Sequence, residues 1–255
     1  EERRPMMGIL PFGTGNALAG HLEIDSALSD LAQIQHGAPT RVQGLPLLRC
    51  NGRLSFFAGV GADAMIVNDY DALKHAVHGK PIERMVTGLG GYFASIFART
   101  LPRVLHPRFH FSQIEIINRG ERAWRLDPEG RRVQSYERGE RLYQGPAMVA
   151  AASTVSCFGF NLKAFPFAQA APDRFHLRLY SGGPLEPALH IPQIFAGTFR
   201  SAHLHDFLAQ ELQLHMDSPS PLQIGGDAHG WEQSLHLQLA PEPLPILSPQ
   251  RRLLH

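Results

Sequence analysis

The chain has 255 residues, 44% hydrophobic and 18% charged, with a formal net charge of +1. That is enough apolar material for a sizeable core, and it gives no basic field that would argue for nucleic acid. No apolar run approaches the roughly 20 residues that span a bilayer. The two cysteines, Cys50 and Cys157, lie far apart without metal-ligand spacing and read as reduced thiols of a cytoplasmic protein. The 14 histidines are scattered, and His203 and His205 alternate with apolar residues, which suits a solvated face better than a zinc site.

In chain order, Met7 to Leu10 reads as a short buried strand, Pro11 to Gly15 as a glycine turn, and Asn16 to Leu22 as a helix. Such a junction aims backbone N–H groups and a hydroxyl at a helix N-terminus, where phosphate is favoured. Gly13, Thr14, Gly15 and Asn16 are therefore candidate phosphate-binding residues. The stretch lacks the lysine of a Walker loop and is not Gly-x-Gly-x-x-Gly, so an ordinary strand-to-helix turn stands as the alternative. A lone parallel strand and helix form no core, so the chain is expected to begin partway through a domain.

Ser26 suits the N-cap of a helix over Ala27 to Gln35, closed by Gly37. Thr40 to Arg49 reads as a strand, Asn51-Gly52 as a hairpin turn, and Leu54 to Val60 as the return strand. Gly59-Val60-Gly61-Ala62-Asp63 is a second glycine-rich turn. A polar helix follows over Asp69 to His78, broken by Gly79-Lys80-Pro81. Ile82 to Leu101 carries Met85, Leu89, Tyr92, Phe93, Ile96 and Phe97 at helical spacing and ends before Pro102. That stripe packs a core or lines an apolar pocket.

Beyond Arg108 the pattern is mostly strands: Phe109 to Ile117, a polar hairpin over Trp124 to Glu140, Leu142 to Ala152, and Phe175 to Tyr180. Leu185 to Phe199 and Ala202 to Phe207 read as helical or irregular. Leu212 to Met216, Leu222 to Ile224, Leu235 to Leu239 and Leu244 to Leu247 read as short strands. So many short strands suggest a β-sandwich. The fold class expected is α+β: the remnant of an α/β nucleotide-binding domain over residues 1–38, then a β-rich sandwich domain over 39–255. A helical insertion lies at about 63–101, and the last strands are placed to pack back on the first domain.

Two further stretches could carry chemistry. Gln223-Ile224-Gly225-Gly226-Asp227 is a glycine turn between apolar strands, either a simple tight turn or a mount for the carboxylate of Asp227. Phe158 to Phe175 is dense in phenylalanine, either a rim packed on the sandwich or an apolar mouth for a greasy substrate. No Ser-His-Asp order and no close carboxylate pair stands out.

Together these pieces resemble the diacylglycerol kinase catalytic family, in its soluble bacterial lipid-kinase branch with the sphingosine kinases as relatives. Gly8 to Ala19 is similar to that family's Gly-x-x-Pro-x-Gly-Thr-x-Asn-Asp-Phe-Ala motif, with Ala17 in place of the Asp. Phe57 to Ala64 resembles its Gly-x-Gly-x-Asp-Ala turn, and Gly88 to Tyr92 its Gly-x-x-x-Tyr helix. Pro166-Phe167-Ala168 followed by Asp173 resembles its Pro-x-Ala and Asp-Gly-x-Leu segment, with Arg174 replacing the Gly. Gln223 to Asp227 occupies the place of its Asp-Gly-Glu turn, with Gly225 where the Asp would be.

The resemblance implies an ATP-dependent lipid kinase, with Mg²⁺ as cofactor and ATP and a lipid hydroxyl as substrates. It implies nucleotide binding by Gly13, Thr14, Gly15 and Asn16, proton abstraction by Asp227 in place of the family's Glu, and a structural Mg²⁺ at Asp173. It also implies a cytoplasmic protein peripheral at the membrane, with transient contact to the lipid surface, no nucleic-acid partner and compatibility with a homodimer. The family's Gly-Gly-Asp-Gly-Thr motif has no counterpart before Gly8, so the chain alone is expected to be inactive as a kinase. Two alternatives stand beside this reading: a non-catalytic lipid-binding relative, and an NAD-kinase-like enzyme.

Overall fold

The computed structural model describes residues 6–9, 17–22, 27–37, 39–80, 89–106, 111–159 and 161–249. Helices α1 (Ala17–His21) and α2 (Ala27–Gln35) come first. Strands β1 (Thr40–Leu45), β2 (Leu48–Cys50), β3 (Arg53–Ser55) and β4 (Phe57–Gly61) lead into helix α3 (Ala62–Val77). Helix α4 (Leu89–Ser95), a π-helical stretch (Ile96–Thr100) and α5 (Leu101–Val104) complete the helical segment. Then come β5 (Gln113–Asn118), β6 (Ala123–Leu126), β7 (Arg132–Tyr136), β8 (Arg141–Pro146), β9 (Val149–Ser153) and β10 (Phe175–Tyr180). After short helices α6 (Leu185–Leu189) and α7 (Ile191–Ala196) the chain ends in β11 (Leu204–Ala209), β12 (Glu211–Ile224), β13 (Asp227–Leu239) and β14 (Leu244–Pro249).

The architecture is α+β. Among the described residues, 12 strands form one hydrogen-bonded sheet in the order β3-β2-β13-β12-β4-β9-β10-β11-β6-β7, with β5 joining β12 and β8 joining β5. The long strand β12 organises it. Its first half, Leu212 to Met216, pairs with β5, and its last residues, Leu222 to Ile224, pair with β4. The register with β13 shifts between His215 and Ser220, so one strand serves two neighbours on the same edge. The sheet folds over at that point, and a single buried cluster takes Ile114, Ile116, Leu142, Phe175, Leu177, Phe207, Leu212 and Leu237 from both layers. The sandwich expected from the sequence is thus one continuous sheet bent upon itself.

Several element boundaries differ from the expectation. Thr40 to Arg49 is two strands broken at Pro46 and Leu47, because β1 leaves the large sheet to pair with β14. Met7 adds a parallel bridge to the same strand, donating its N–H to the Pro245 carbonyl at 3.0 Å and accepting from Leu247 at 2.9 Å. Leu142 to Ala152 is likewise two strands. Of Ala202 to Phe207, read as helical or irregular, Leu204 to Phe207 belong to strand β11, and the reason lies in Asp206. A carboxylate inside an apolar alternation looks like a surface residue until its partners are known.

Those partners sit on the neighbouring strand β10. Arg178 donates from Nε to Asp206 Oδ1 at 2.7 Å and from Nη2 to Oδ2 at 3.1 Å, and the fully buried His176 ring nitrogen Nε2 lies 2.8 Å from Oδ1. Although burial opposes it, these two partners hold the Asp206 carboxyl well below the usual carboxylate range, so it stays ionised. Burial likewise holds His176 below its usual range.

The helical segment is fastened in the same way. Thr100 Oγ1 donates to the buried Asp69 of α3 at 2.7 Å, and Arg103 Nη2 donates to the same carboxylate at 3.2 Å. The helix was expected to end before Pro102. It runs through instead, with the wider π turn just upstream of the proline's missing N–H. The Asn51-Gly52 turn is as expected: both residues have positive φ, 46° and 83°, which matches the twist of a two-residue hairpin.

Replacing Arg178 by Met leaves a buried carboxylate without its main counter-ion. This substitution is expected to cost about 3–5 kcal/mol in urea unfolding at pH 7. The cost is expected to shrink in acid, as Asp206, no longer held ionised, takes up a proton.

Candidate functional site

Strand β4 ends in Gly59-Val60-Gly61, and α3 begins at once with Ala62 and Asp63. Both glycines are required by what surrounds them. A Cβ on Gly59 would run into Asp63 Oδ2 and would lie 2.8 Å from Ala151 Cβ. Gly61 has φ of 97°, and a Cβ there would strike the Met148 carbonyl. The bare backbone of β4 therefore provides the space in which the Asp63 carboxyl lies, in the first turn of α3, where the helix dipole favours negative charge.

Gln223 of β12 pairs in register with Gly59 and is wholly buried. Its Nε2 donates to Asp63 Oδ2 at 3.3 Å, and its Oε1 accepts the Gly226 N–H at 3.0 Å. One amide thus joins the carboxyl to the turn between β12 and β13. That turn is Gly225-Gly226, with φ of 67° and 92°, and it is pinned to β4 by the Gly225 N–H donating to the Phe57 carbonyl at 2.9 Å. Asp227 follows as the first residue of β13, exposed to solvent.

The second carboxylate oxygen of Asp63, Oδ1, is buried and has no hydrogen-bond partner among the described residues. Burial pushes the Asp63 carboxyl up to about 7, against the lowering effect of the Ala64 N–H and the Gln223 amide. A buried acid that titrates near neutrality, with one acceptor left open, is what a site that handles a polar hydrogen requires. Both Asp63 and Gln223 lie in glycine turns picked out from the sequence, but neither was given a role there; Asp227 alone was. The signal for Asp63 was the pair of glycines just ahead of an acidic residue at a helix start.

The other candidates fall out as follows. Gly13, Thr14, Gly15 and Asn16 lie outside the described residues. Ala17, next in the chain, packs with Leu18 and Leu22 on a cluster built from Phe57, Phe158 and Phe165. His21 of α1 adds a polar tie, its Nδ1 accepting the Ser156 N–H at 3.1 Å. The phenylalanines of the 158–175 stretch are packed rather than open. Phe158 lies 4.5 Å from Phe57 and 5.7 Å from Phe165 between ring centres, and Phe175 is fully buried. The packed rim, not an open apolar mouth, accounts for Phe158, Phe165 and Phe175.

Asp173 stands at the same end of the sheet as the glycine turn, since Ile224 pairs with Ala58, Phe57 with Ser153 and Ser153 with His176. It is nonetheless three strand steps away, about 14 Å. Its side chain is 57% exposed, with Arg174 Nη1 3.4 Å from it. Among the described residues no three His, Cys, Asp or Glu side chains converge. A structural Mg²⁺ takes a ring of oxygen ligands, so beside this one exposed carboxylate the backbone carbonyls of Ala170 and Phe175 would have to supply others, against the charge of Arg174. Both cysteines are free and buried, and burial pushes the Cys50 thiol up to about 12, which makes Cys50 a poor nucleophile.

No protein-family model and no curated protein matches the chain. Solved structures do. Two from Bacillus anthracis str. Sterne superpose with TM-scores of 0.60 and 0.59, each at 14% identity over 96% of this chain and 70% of that one. One is named outright as a diacylglycerol kinase, the other by assignment. The chain has the diacylglycerol kinase fold. Within that fold the Gly59–Asp63 turn and the Gly225–Asp227 turn are adjacent, joined by β4–β12 pairing and by Gln223.

The buried acid has a measurable signature. A carboxyl at about 7 in the folded state against 3.8 in the unfolded chain destabilises the fold once it ionises. The loss begins as pH rises through the unfolded value and is complete above the folded one, reaching about 4 kcal/mol. Asp63→Asn keeps the acceptor for Gln223 and removes the charge. Urea midpoints are expected to coincide for the two proteins near pH 4 and to separate in favour of Asp63→Asn by pH 8.

Proposed function

We propose that the chain carries the acceptor-binding part of an ATP-dependent lipid kinase, transferring the γ-phosphate of ATP to a hydroxyl of diacylglycerol or a similar lipid. The observation that carries this reading is the open acceptor of Asp63 beside the glycine turn of Asp227, in a diacylglycerol kinase fold. In this reading the lipid hydroxyl enters between the two turns, uncovers Asp63 Oδ1 and donates its hydrogen bond there, which fixes its direction. Asp227, exposed at the head of β13, takes the hydroxyl proton as oxygen attacks phosphorus. Gln223 holds the two in register.

MgATP enters as substrate, its metal neutralising charge on the phosphates. Gly13, Thr14, Gly15 and Asn16 are the proposed contacts to those phosphates, because backbone N–H groups at a helix start favour an anion. Asp173 is assigned no part. The lipid reaches the site by transient contact with a membrane surface. Among the described residues no helix is long and apolar enough to cross a membrane.

The test is transfer of labelled phosphate from ATP to diacylglycerol in mixed micelles by the full gene product. Asp227→Ala is expected to lower kcat by about 10²-fold or more with the unfolding midpoint unchanged. Asp63→Asn is expected to raise KM for lipid and leave KM for ATP alone. Lipid binding with no transfer above background, in wild type and Asp227→Ala alike, would instead favour a non-catalytic lipid-binding role. Transfer to NAD and to no lipid would contradict both readings.

A further inference from the structure

Far across the sheet from Asp227 lies a cavity of about 270 Å³ between β6, the β6–β7 turn and the segment that leads into β11. Arg125, Asp127, Val133, Phe199, Arg200 and Asp206 are among the residues that line it. Strands β9 and β10 lie between β4, which carries the Asp63 centre, and β11, and the cavity shares no lining residue with that centre.

Its two acids are already spent. Asp206 is matched by Arg178 and His176. Asp127 accepts the backbone N–H groups of Glu129 and Arg131 at 3.0 and 2.8 Å, and the Arg131 side chain at 2.7 Å. Its two remaining cations are not. Arg200 donates only to the carbonyls of Gly197 and Phe199, from Nη1 at 3.4 and 3.0 Å. The Arg125 side chain has no hydrogen bond and no ion pair among the described residues. Its charge is felt nearby: after burial, Arg125 is the next cause that keeps His205 below its usual range.

Two uncompensated guanidinia call for two negative charges, which a phosphate monoester supplies at neutral pH and a carboxylate does not. The volume is at the small end for ligand sites, right for a glycerol-sized ester and too small for a whole lipid. Val133, 58% exposed, and the buried Phe199 give the carbon part an apolar wall. We propose that this cavity is a second binding site, which takes a small phosphate monoester between Arg125 and Arg200. It does not depend on the phosphotransfer reading.

The probe is sn-glycerol 3-phosphate, followed by NMR of the arginine side-chain N–H groups in the intact chain. Saturable shifts at Arg125 and Arg200 are expected. Arg125→Gln and Arg200→Gln should each weaken binding about tenfold or more, and Arg125→Lys by less. Both arginines are exposed, and unchanged melting midpoints would exclude loss of fold. Asp227→Ala should bind as wild type, and glycerol should give no shift. Vesicles of phosphatidic acid in phosphatidylcholine form a second arm. Capture by these vesicles, abolished by the double Gln variant, would place the same ester on a lipid headgroup, whereas binding of glycerol 3-phosphate alone would place it in solution. Binding unchanged in the double variant, or no arginine shift with either probe, would overturn the proposal.

Discussion

The structure turns on the absence of one atom. Gly59 has no Cβ, and into the space that atom would fill goes the carboxyl of Asp63. Everything around the site follows from lodging an acid there. Gly61 must take a positive φ so that β4 can turn into α3 under the Met148 carbonyl. Gln223 must be an amide, because it donates to the carboxyl with one end and accepts from Gly226 with the other. The β12–β13 turn must be two glycines, because both residues carry positive φ while the first is tied to Phe57. Ionising an acid held there costs stability above neutral pH. Such a cost is the usual mark of a residue kept for function rather than for folding.

The same logic separates the two buried acids of α3 and the third in β11. Asp69 and Asp206 are satisfied: one by Thr100 and Arg103, the other by Arg178 and His176. They hold elements together and have no lone pair waiting. Asp63 has a single neutral side-chain donor and an oxygen left over. Burial alone does not distinguish them; the count of partners does.

Much of the fold was legible in the sequence, because local signals carried it. Asn51-Gly52 and Gly225-Gly226 require positive φ and announced their hairpins. Alternation placed β10, and motif order along the chain pointed to the diacylglycerol kinase fold at a level of identity where no family model matches. What was hidden depended on partners far away in sequence. Strand β11 was masked by Asp206, whose guanidinium partner is 28 residues off. Leu212 to Met216 and Leu222 to Ile224 read as separate strands, and only their pairing with β5 and β4 shows one strand with a register shift between them. Asp63 was read as the end of one glycine-rich turn and Gln223 as the start of another, with nothing local to link them. Only β4–β12 pairing, across 160 residues, makes them a pair.

The central claim is that Asp63 is a buried acid poised near neutrality and coupled to the Asp227 turn. Carbon-13 NMR of the side-chain carboxyl, titrated with pH in the folded chain and assigned with Asp63→Asn, measures this directly. A midpoint near 7 is expected for Asp63. It should move upward in Gln223→Leu, which loses the donor, with the Gly226 amide shifting in step. A midpoint at the ordinary carboxylate value of about 4, indifferent to Gln223, would contradict the account.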